Sequence, residues 1–278
     1  MEIDRARLRV LLVALVALAG GVAAAGGTSG GQSSSGGAAP GESPTAPTAP
    51  TAPQRTTPAR PRQRARTLVG CRARGPAFVS NGSRRRRVVA LTFDDGPWPD
   101  TPAFVRVLER ERVHATFFMI GRQVAGHGAL MRRMLADGDM IGDHTWSHPD
   151  VAGAGAFAAN QIAWTANAIR RASGFRPCLF RAPYGAVSGP LIALARRLGY
   201  ATIQWDVDPT DWARPGAGAI VSRVLSHVRP GSIVIMHDGG GPRGQTLAAL
   251  PAIIHGLKRR GYRFATVTAL TGARLRYR

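Results

Sequence analysis

The chain has 278 residues, 44% of them hydrophobic, with 37 Lys and Arg against 16 Asp and Glu for a formal net charge of +21. This apolar content excludes a wholly unstructured chain, and the length leaves about 210 residues beyond a polar N-terminal stretch, enough for one sizeable core and too few for two. The charge is carried almost wholly by arginine, with Lys258 the single lysine, a pattern that GC-rich bacterial codon usage explains better than phosphate recognition does, so no nucleic-acid partner is expected.

Arg5, Arg7 and Arg9 precede an apolar run from Val10 to Ala25 that ends in three alanines, the layout of an export signal over residues 1–25. Sixteen apolar residues are short of the ~20 that span a bilayer, and both a cleaved signal and a retained membrane anchor stay open. Residues 26–68 have no apolar periodicity: Gly and Ser come first, then a threefold Thr-Ala-Pro repeat from Thr45 to Pro53, then arginines spaced by polar residues and proline. This is a linker, flexible in its first half and extended in its second, with a solvated basic end. It precedes a domain over 69–278 whose core runs from 87 to 270. The expected location is outside the cytoplasm, extracellular or against the cell wall, where acidic wall polymers are the electrostatic neighbours. Cys71 and Cys178 are the only cysteines, and export permits either a disulfide or two buried thiols.

From Arg87 onward the chain alternates. VVALTF predicts a buried strand closed at TFDDG, Thr92 to Gly96, and Phe104, Val107 and Leu108 give helical spacing over 101–112. Strands follow at 115–120, 140–142, 178–180, 201–205, 232–236 and 263–265, separated by helices near 130–135, 157–172, 191–198, 220–228 and 247–260. Seven or eight such units predict an α/β fold, an irregular (β/α) barrel with its chemistry at the C-terminal strand ends.

Five motifs sit at those ends. Asp94 and Asp95 are adjacent, so an extended strand sends them opposite ways and one can hold a cation while the other handles protons. The competing reading is a turn in which an Asp caps the next helix and Gly96 takes a positive φ. In HTWSH, His144 and His148 are four apart and share a face if the segment is one helical turn, and a carboxylate from TFDDG completes a metal site that leaves positions for water. RAPYG reads by itself as a packed loop; the functional alternative has Arg181 beside Asp94, orienting it and lowering its pKa, with Pro183 fixing a turn that presents the Tyr184 N–H to an oxyanion. WDVDPTDW and IVIMHDGGG supply His237 as a general acid with Asp211 as its partner, and Trp212 and Ile235 as an apolar wall. Asp206, Asp208 and Asp238 read as turn or cap residues, the glycines after Asp238 as a loose rim, and Trp98 as either a sugar-stacking or a packing residue.

In this order the five motifs resemble the NodB-type polysaccharide deacetylases, carbohydrate esterase family 4, over about Arg87 to Leu270. The resemblance implies Asp94 as base, Asp95, His144 and His148 as metal ligands, Arg181 steering the base, Tyr184 facing the oxyanion through its N–H, and Asp211, Trp212, Ile235 and His237 in the later motifs. Asp143 stands where relatives often show Asn, and Ala182 where they are commonly bulkier. The implied activity is a divalent metal-dependent hydrolase, with zinc as the default and cobalt or nickel suiting the same ligands. It removes N-acetyl groups from amino-sugar polymers and releases acetate. N-acetylglucosamine of peptidoglycan is the favoured substrate, with chitin oligomers and acetylated xylan as alternatives. A wall-polymer binding protein is the non-enzymatic reading. A monomer is expected.

Overall fold

The computed structural model describes residues 66–278; the expected export segment and all but the last three residues of the expected linker lie outside them. In chain order the strands and helices are β1 (Leu68–Arg72), β2 (Phe78–Val79), β3 (Val88–Gly96), α1 (Thr101–Glu111), β4 (Thr116–Met119), α2 (Gly128–Asp137), β5 (Met140–Asp143), α3 (Gly155–Ser173) and β6 (Leu179–Phe180). They continue with α4 (Gly189–Arg197), β7 (Ala201–Ile203), α5 (Ala217–His227), β8 (Ile233–His237), α6 (Gly244–Arg259), β9 (Arg263–Phe264), α7 (Val267–Thr271) and β10 (Arg274–Tyr277). Short 3₁₀ turns follow β4, β6 and β7.

Eight strands pair in parallel in the order β2-β7-β6-β5-β4-β3-β8, with β9 beside the start of β3. A single bridge, Val207 to Val234, joins the segment after β7 to β8 where a regular barrel would have a further strand pair. The barrel expected from the alternation is therefore present and irregular at this seam. β3 lies at its centre, and every residue from Val89 to Gly96 is buried, as a parallel strand covered on both faces requires.

Alternation along β3 sets the two faces. Phe93 turns outward to α1, its ring 5.2 Å from Phe104 and 5.1 Å from Phe117. Thr92 and Asp94 consequently share the inner face. There the space that aliphatic layers usually fill is taken by Arg181, fully buried, with its guanidinium 4.1 Å from the centre of the Phe118 ring. A second apolar cluster, including Ile162, Phe180, Leu191 and Leu194, packs α3 and α4 against β6.

Three features were not anticipated, the first being β2, which pairs with β7 in the parallel sheet ahead of the expected core boundary at 87. β1 and β10 pair antiparallel into a separate ribbon joining the two ends of the domain, and α7 is a further short helix. The ribbon is short, with only Gly70 and Cys71 buried on β1 and β10 largely exposed, so neither strand stands out as a core strand. Cys71 on β1 and Cys178 just before β6 form a disulfide across 107 residues of sequence, which settles the alternative left open above.

Candidate active site

β3 ends in the two carboxylates. Asp94 keeps the strand's direction and points inward, where Arg181 Nη1 donates to its Oδ1 at 2.7 Å and to Thr92 Oγ1 at 2.8 Å. Arg181 is itself held by the carbonyls of Ile203 and Gln204, at 3.3 Å each. Asp95 departs from the strand with φ 73°, so a backbone turn as well as the pleat separates the two carboxylates. The capping alternative fails: α1 begins at Thr101, its N-cap Asp100 makes no side-chain cap bond, and Gly96 is not among the positive-φ residues.

His144 and His148 converge without a helix. The chain leaves β5 through an irregular turn with Thr145 at φ 66° and His148 at φ 62°. Two side chains brace it: Asp143 Oδ1 accepts the Thr145 N–H at 3.0 Å, and Thr145 Oγ1 accepts the His148 N–H at 3.1 Å. The expected single helical turn is thus replaced by a strained turn that brings the rings within 4.9 Å of each other.

Asp95 Oδ1 lies 3.5 Å from His144 Nε2 and 3.3 Å from His148 Nε2, and the three ligand atoms are within 4.8 Å of one another. Three observations fit this group to a divalent cation. Asp95 Oδ1 is buried and accepts no hydrogen bond among the described residues. His144 Nδ1 faces the Arg181 carbonyl at 2.8 Å, and this acceptor fixes the proton on Nδ1 and leaves the Nε2 lone pair toward Asp95. Burial, the largest influence, depresses the His144 pKa to about 3, so its imidazole is neutral as ligation demands. Two imidazoles and one carboxylate make an open site suited to zinc, cobalt or nickel.

Beside this group β8 supplies His237, opposite Asp94 in the sheet register. Its Nδ1 is 2.7 Å from Asp211 Oδ1; an ionised carboxylate only accepts, so Nδ1 carries the proton. Asp211 Oδ2 also accepts the His237 backbone N–H at 2.9 Å and the Thr246 hydroxyl at 2.8 Å. Burial pulls the His237 pKa down, but the hydrogen bond and charge of Asp211, with Asp94 and Asp95 nearby, outweigh it and leave the pKa raised.

For Asp94 the balance runs against expectation. Burial is the largest influence and raises its pKa; Arg181, His237 and His148 lower it, and the net result lies above the ordinary carboxylate value. Arg181 therefore orients this carboxylate and offsets part of its desolvation cost without driving its pKa down overall.

Asp94, Asp95, His144, His148, Tyr184, Trp212, Ile235 and His237 all line one cleft of about 520 Å³. Arg181 and Asp211 stand behind it, one holding Asp94 and the other His237. Tyr184 (φ 58°) is 73% exposed, packs its ring 4.6 Å from His148 and donates its hydroxyl to the His148 carbonyl at 3.2 Å. Its backbone N–H has no backbone acceptor among the described residues. Trp98 is not brought into the cleft; it sits half-buried on the loop after β3, its N–H donated to Thr101 Oγ1 at 2.8 Å. A depression of about 580 Å³ at the opposite end, beside β1 and β10, is lined by no acid, histidine or cysteine.

Asp208 takes the turn duty expected, accepting the Thr210 N–H at 2.6 Å, whereas Asp206 is a cross-link between distant segments, accepting the Ile233 N–H at 2.8 Å and pairing with Arg84 at 2.7 Å. Asp238 does more. It is fully buried, accepts the Thr101 hydroxyl and donates its N–H to the Asp94 carbonyl at 3.1 Å, and burial raises its pKa to about 7. The following glycines are a packing surface and not a loose rim: a Cβ at Gly239 would run into the Asp95 carbonyl, and one at Gly240 (φ +73) into Asp95 Oδ2. Arg243, unnoticed in the sequence because it belongs to no motif, clamps this turn through Nε to the Gly239 carbonyl at 2.6 Å. A buried arginine at a helix start has no spacing signature that separates it from a surface one.

The polysaccharide deacetylase family profile matches residues 81–203. A chitooligosaccharide deacetylase of Bradyrhizobium sp. is 44% identical over 190 residues, covering 63% of this chain and 87% of that protein. A peptidoglycan-N-acetylglucosamine deacetylase of Bacillus cereus is 39% identical over 202 residues, covering 69% and 90%. The crystal structure of the Bc1960 peptidoglycan N-acetylglucosamine deacetylase superposes with a TM-score of 0.68 at 34% identity, over 70% of this chain and 93% of that one.

Proposed function

The chain belongs to the polysaccharide deacetylases, the NodB-type enzymes of carbohydrate esterase family 4, and from that premise we propose that it removes N-acetyl groups from N-acetylglucosamine in peptidoglycan. The observation that carries the reading is the convergence of Asp95, His144 and His148 on one point beside two further acid–base pairs, Asp94 with Arg181 and His237 with Asp211. A binding protein without turnover has no use for the second and third of these.

A divalent cation bound by Asp95, His144 and His148 would supply electrophilic polarisation of the acetyl carbonyl and of water. Asp94, held by Arg181, takes the proton of the attacking water, and the burial that raises its pKa makes it a stronger base than an exposed carboxylate. The Tyr184 N–H, unclaimed by the backbone, faces the carbonyl oxygen as negative charge develops there. His237, its imidazolium favoured by Asp211, delivers a proton from Nε2 to the amine nitrogen as the C–N bond breaks, so that water and the amide become acetate and a free amine. Trp212, 56% exposed, and Ile235 form the wall against which the acetyl group lies.

The same proposal includes the domain plan: an export segment over 1–25, cleaved or kept as an anchor, a linker over 26–68, and a monomeric catalytic domain over 69–278 working at the cell wall. The disulfide supports an oxidising compartment. Among the described residues no helix is long and apolar enough to cross a membrane. The first two relatives differ in the substrate their names give, a chito-oligosaccharide and peptidoglycan, and the deciding experiment follows from that. Acetate release is measured from sacculi, chitin oligomers and acetylated xylan, with and without chelator. Chelator-sensitive release, greatest on sacculi, is expected; preference for soluble oligomers or xylan replaces the substrate, and release untouched by chelator rejects the metal site. Asp95→Ala and His148→Ala are expected to abolish metal retention, read as metal content of the purified protein.

A further inference from the structure

α3 buries one face, including Ala158, Ile162, Thr165 and Ile169, and exposes the other. At 3.6 residues per turn, Phe157, Asn160, Trp164, Asn167 and Arg171 fall on one exposed ridge. Phe157 is 56% exposed and Trp164 48%. They are seven residues apart, about 10.5 Å along the helix, close to the repeat of an extended β-1,4-linked disaccharide. At Trp164 the ridge meets Trp146, and Trp146, Trp164, Asn167 and Arg171 line a shallow depression of about 360 Å³. Trp146 belongs to the loop that carries His144 and His148, but its ring packs outward over Gly121 and Thr165, so this surface is separate from the cleft.

Its chemistry names an occupant. Indole rings offer flat apolar faces to the C–H faces of pyranoses, and large exposed aromatics at a rim of polar groups mark recognition surfaces. The Asn167 amide both donates and accepts, as an N-acetyl group requires. Arg171 forms no ion pair among the described residues, which leaves its guanidinium for an external carboxylate. Resting on the reading above, which makes peptidoglycan the substrate, we propose that this ridge is a second glycan-binding surface that holds a carboxylate-bearing, N-acetylated strand of peptidoglycan outside the catalytic cleft. The strand it holds is a neighbour of the one being deacetylated, so the ridge acts on retention at the polymer and not on the chemical step.

The test compares the metal-loaded full chain with Trp164→Ala/Arg171→Ala. Both positions are exposed, and neither belongs to the catalytic or metal-binding groups. Co-sedimentation with purified sacculi is measured at about 0.3 M salt, where the basic linker is screened. Acetate release is measured on sacculi and on a short soluble N-acetylglucosamine oligomer. Sacculus binding is expected to weaken about tenfold, the loss of one good anchor, with release from the short oligomer unchanged. Unchanged sacculus binding overturns the proposal, as does an equal loss on the short oligomer, which would place the effect in the cleft. Binding is read without turnover, so absence of acetate release from wild-type protein would sink the deacetylase reading while sedimentation still decides this one.

Discussion

The two edges of the parallel sheet solve the same problem, reversing the chain between strand and helix, in different ways. At the N-terminal edge the returns from helix to strand place the left-handed conformation mostly on glycine, as at Gly138 and Gly174, where it costs little. At the C-terminal edge it falls on Asp95, Thr145, His148, Tyr184 and Thr210, residues for which it costs about 1–3 kcal/mol each. The edges differ again in buried polar atoms, because the orphaned Oδ1 of Asp95 sits at the C-terminal edge while the disulfide and the β1–β10 ribbon fasten the N-terminal one. Local strain and unsatisfied polarity thus collect where chemistry is done, and fastenings collect opposite.

The largest expected effect tests whether that division is clean. Asp94→Asn removes the base, and kcat should fall about 10²–10⁴-fold. The same change leaves Arg181 fully buried without its carboxylate, which should cost about 3–5 kcal/mol in chemical denaturation. One residue of the functional edge is therefore also a structural element, since the guanidinium that orients the base fills the barrel's interior. Stability unchanged in Asp94→Asn would show that Arg181 finds other partners and that the division is sharper than drawn.

The opposite edge should show the converse. Replacing Cys71 and Cys178 together by alanine opens a closed loop of 107 residues, and unfolding free energy should drop by about 2–5 kcal/mol. Metal content and kcat measured below the transition should stay within about twofold, because neither cysteine lines the cleft. A tenfold fall in kcat would break the comparison by coupling the fastening to the site.

Between these lies Thr145→Gly. Glycine relieves φ 66° but removes the hydroxyl that accepts the His148 N–H, so stability should move by less than about 1 kcal/mol. Metal affinity should weaken about tenfold, as loss of a supporting hydrogen bond to a ligand does. Titration of the apo-protein with zinc measures it. Unaltered affinity would mean that the strained turn is not what sets His148.

How much of this could be read from the sequence follows the same line between edges. β3, β4, β5 and β8 are buried on both faces and announce themselves as apolar runs, and the motifs at their ends name Asp94, Asp95, His144, His148 and His237 directly. What escaped was conformation and balance. Four-residue spacing of two histidines reads as a helical turn, and nothing in HTWSH reveals that Thr145 and His148 adopt positive φ. Arg181 beside Asp94 was legible, but the sign of the Asp94 shift was not, because burial outweighs the ion pair and burial depends on the whole barrel. The glycines after Asp238 read as slack until Asp95 is seen packed against them. The β1–β10 ribbon was invisible because its strands lie far apart in sequence, Cys71 opposite Leu275, and β1 is a short half-buried segment while β10 is basic and largely exposed.

The smallest expected effect on activity sits at the fastened edge, where one buried carboxylate carries an unpartnered oxygen like those at the other edge. Asp139 precedes β5, and its Oδ1 accepts the Ala115 N–H at 2.7 Å, tying the starts of β4 and β5. Its Oδ2 is buried without a partner, and burial raises its pKa from 3.8 to about 7. The folded state therefore holds a proton between pH 3.8 and about 7 that the unfolded state releases, so this residue's contribution is whole below pH 3.8 and is lost as pH rises through about 7. Asp139→Asn keeps an acceptor for Ala115 and cannot ionise. The difference in unfolding free energy between wild type and variant should accordingly grow with pH over that interval, by on the order of 4 kcal/mol in favour of the variant, and level off above it. Kinetic constants should not change, since Asp139 lies across the barrel from the cleft. A difference flat in pH would mean that Asp139 is ionised in the fold and paired in a way its neighbours do not provide, and a shift in kcat would place a working group at the edge argued to hold only fastenings.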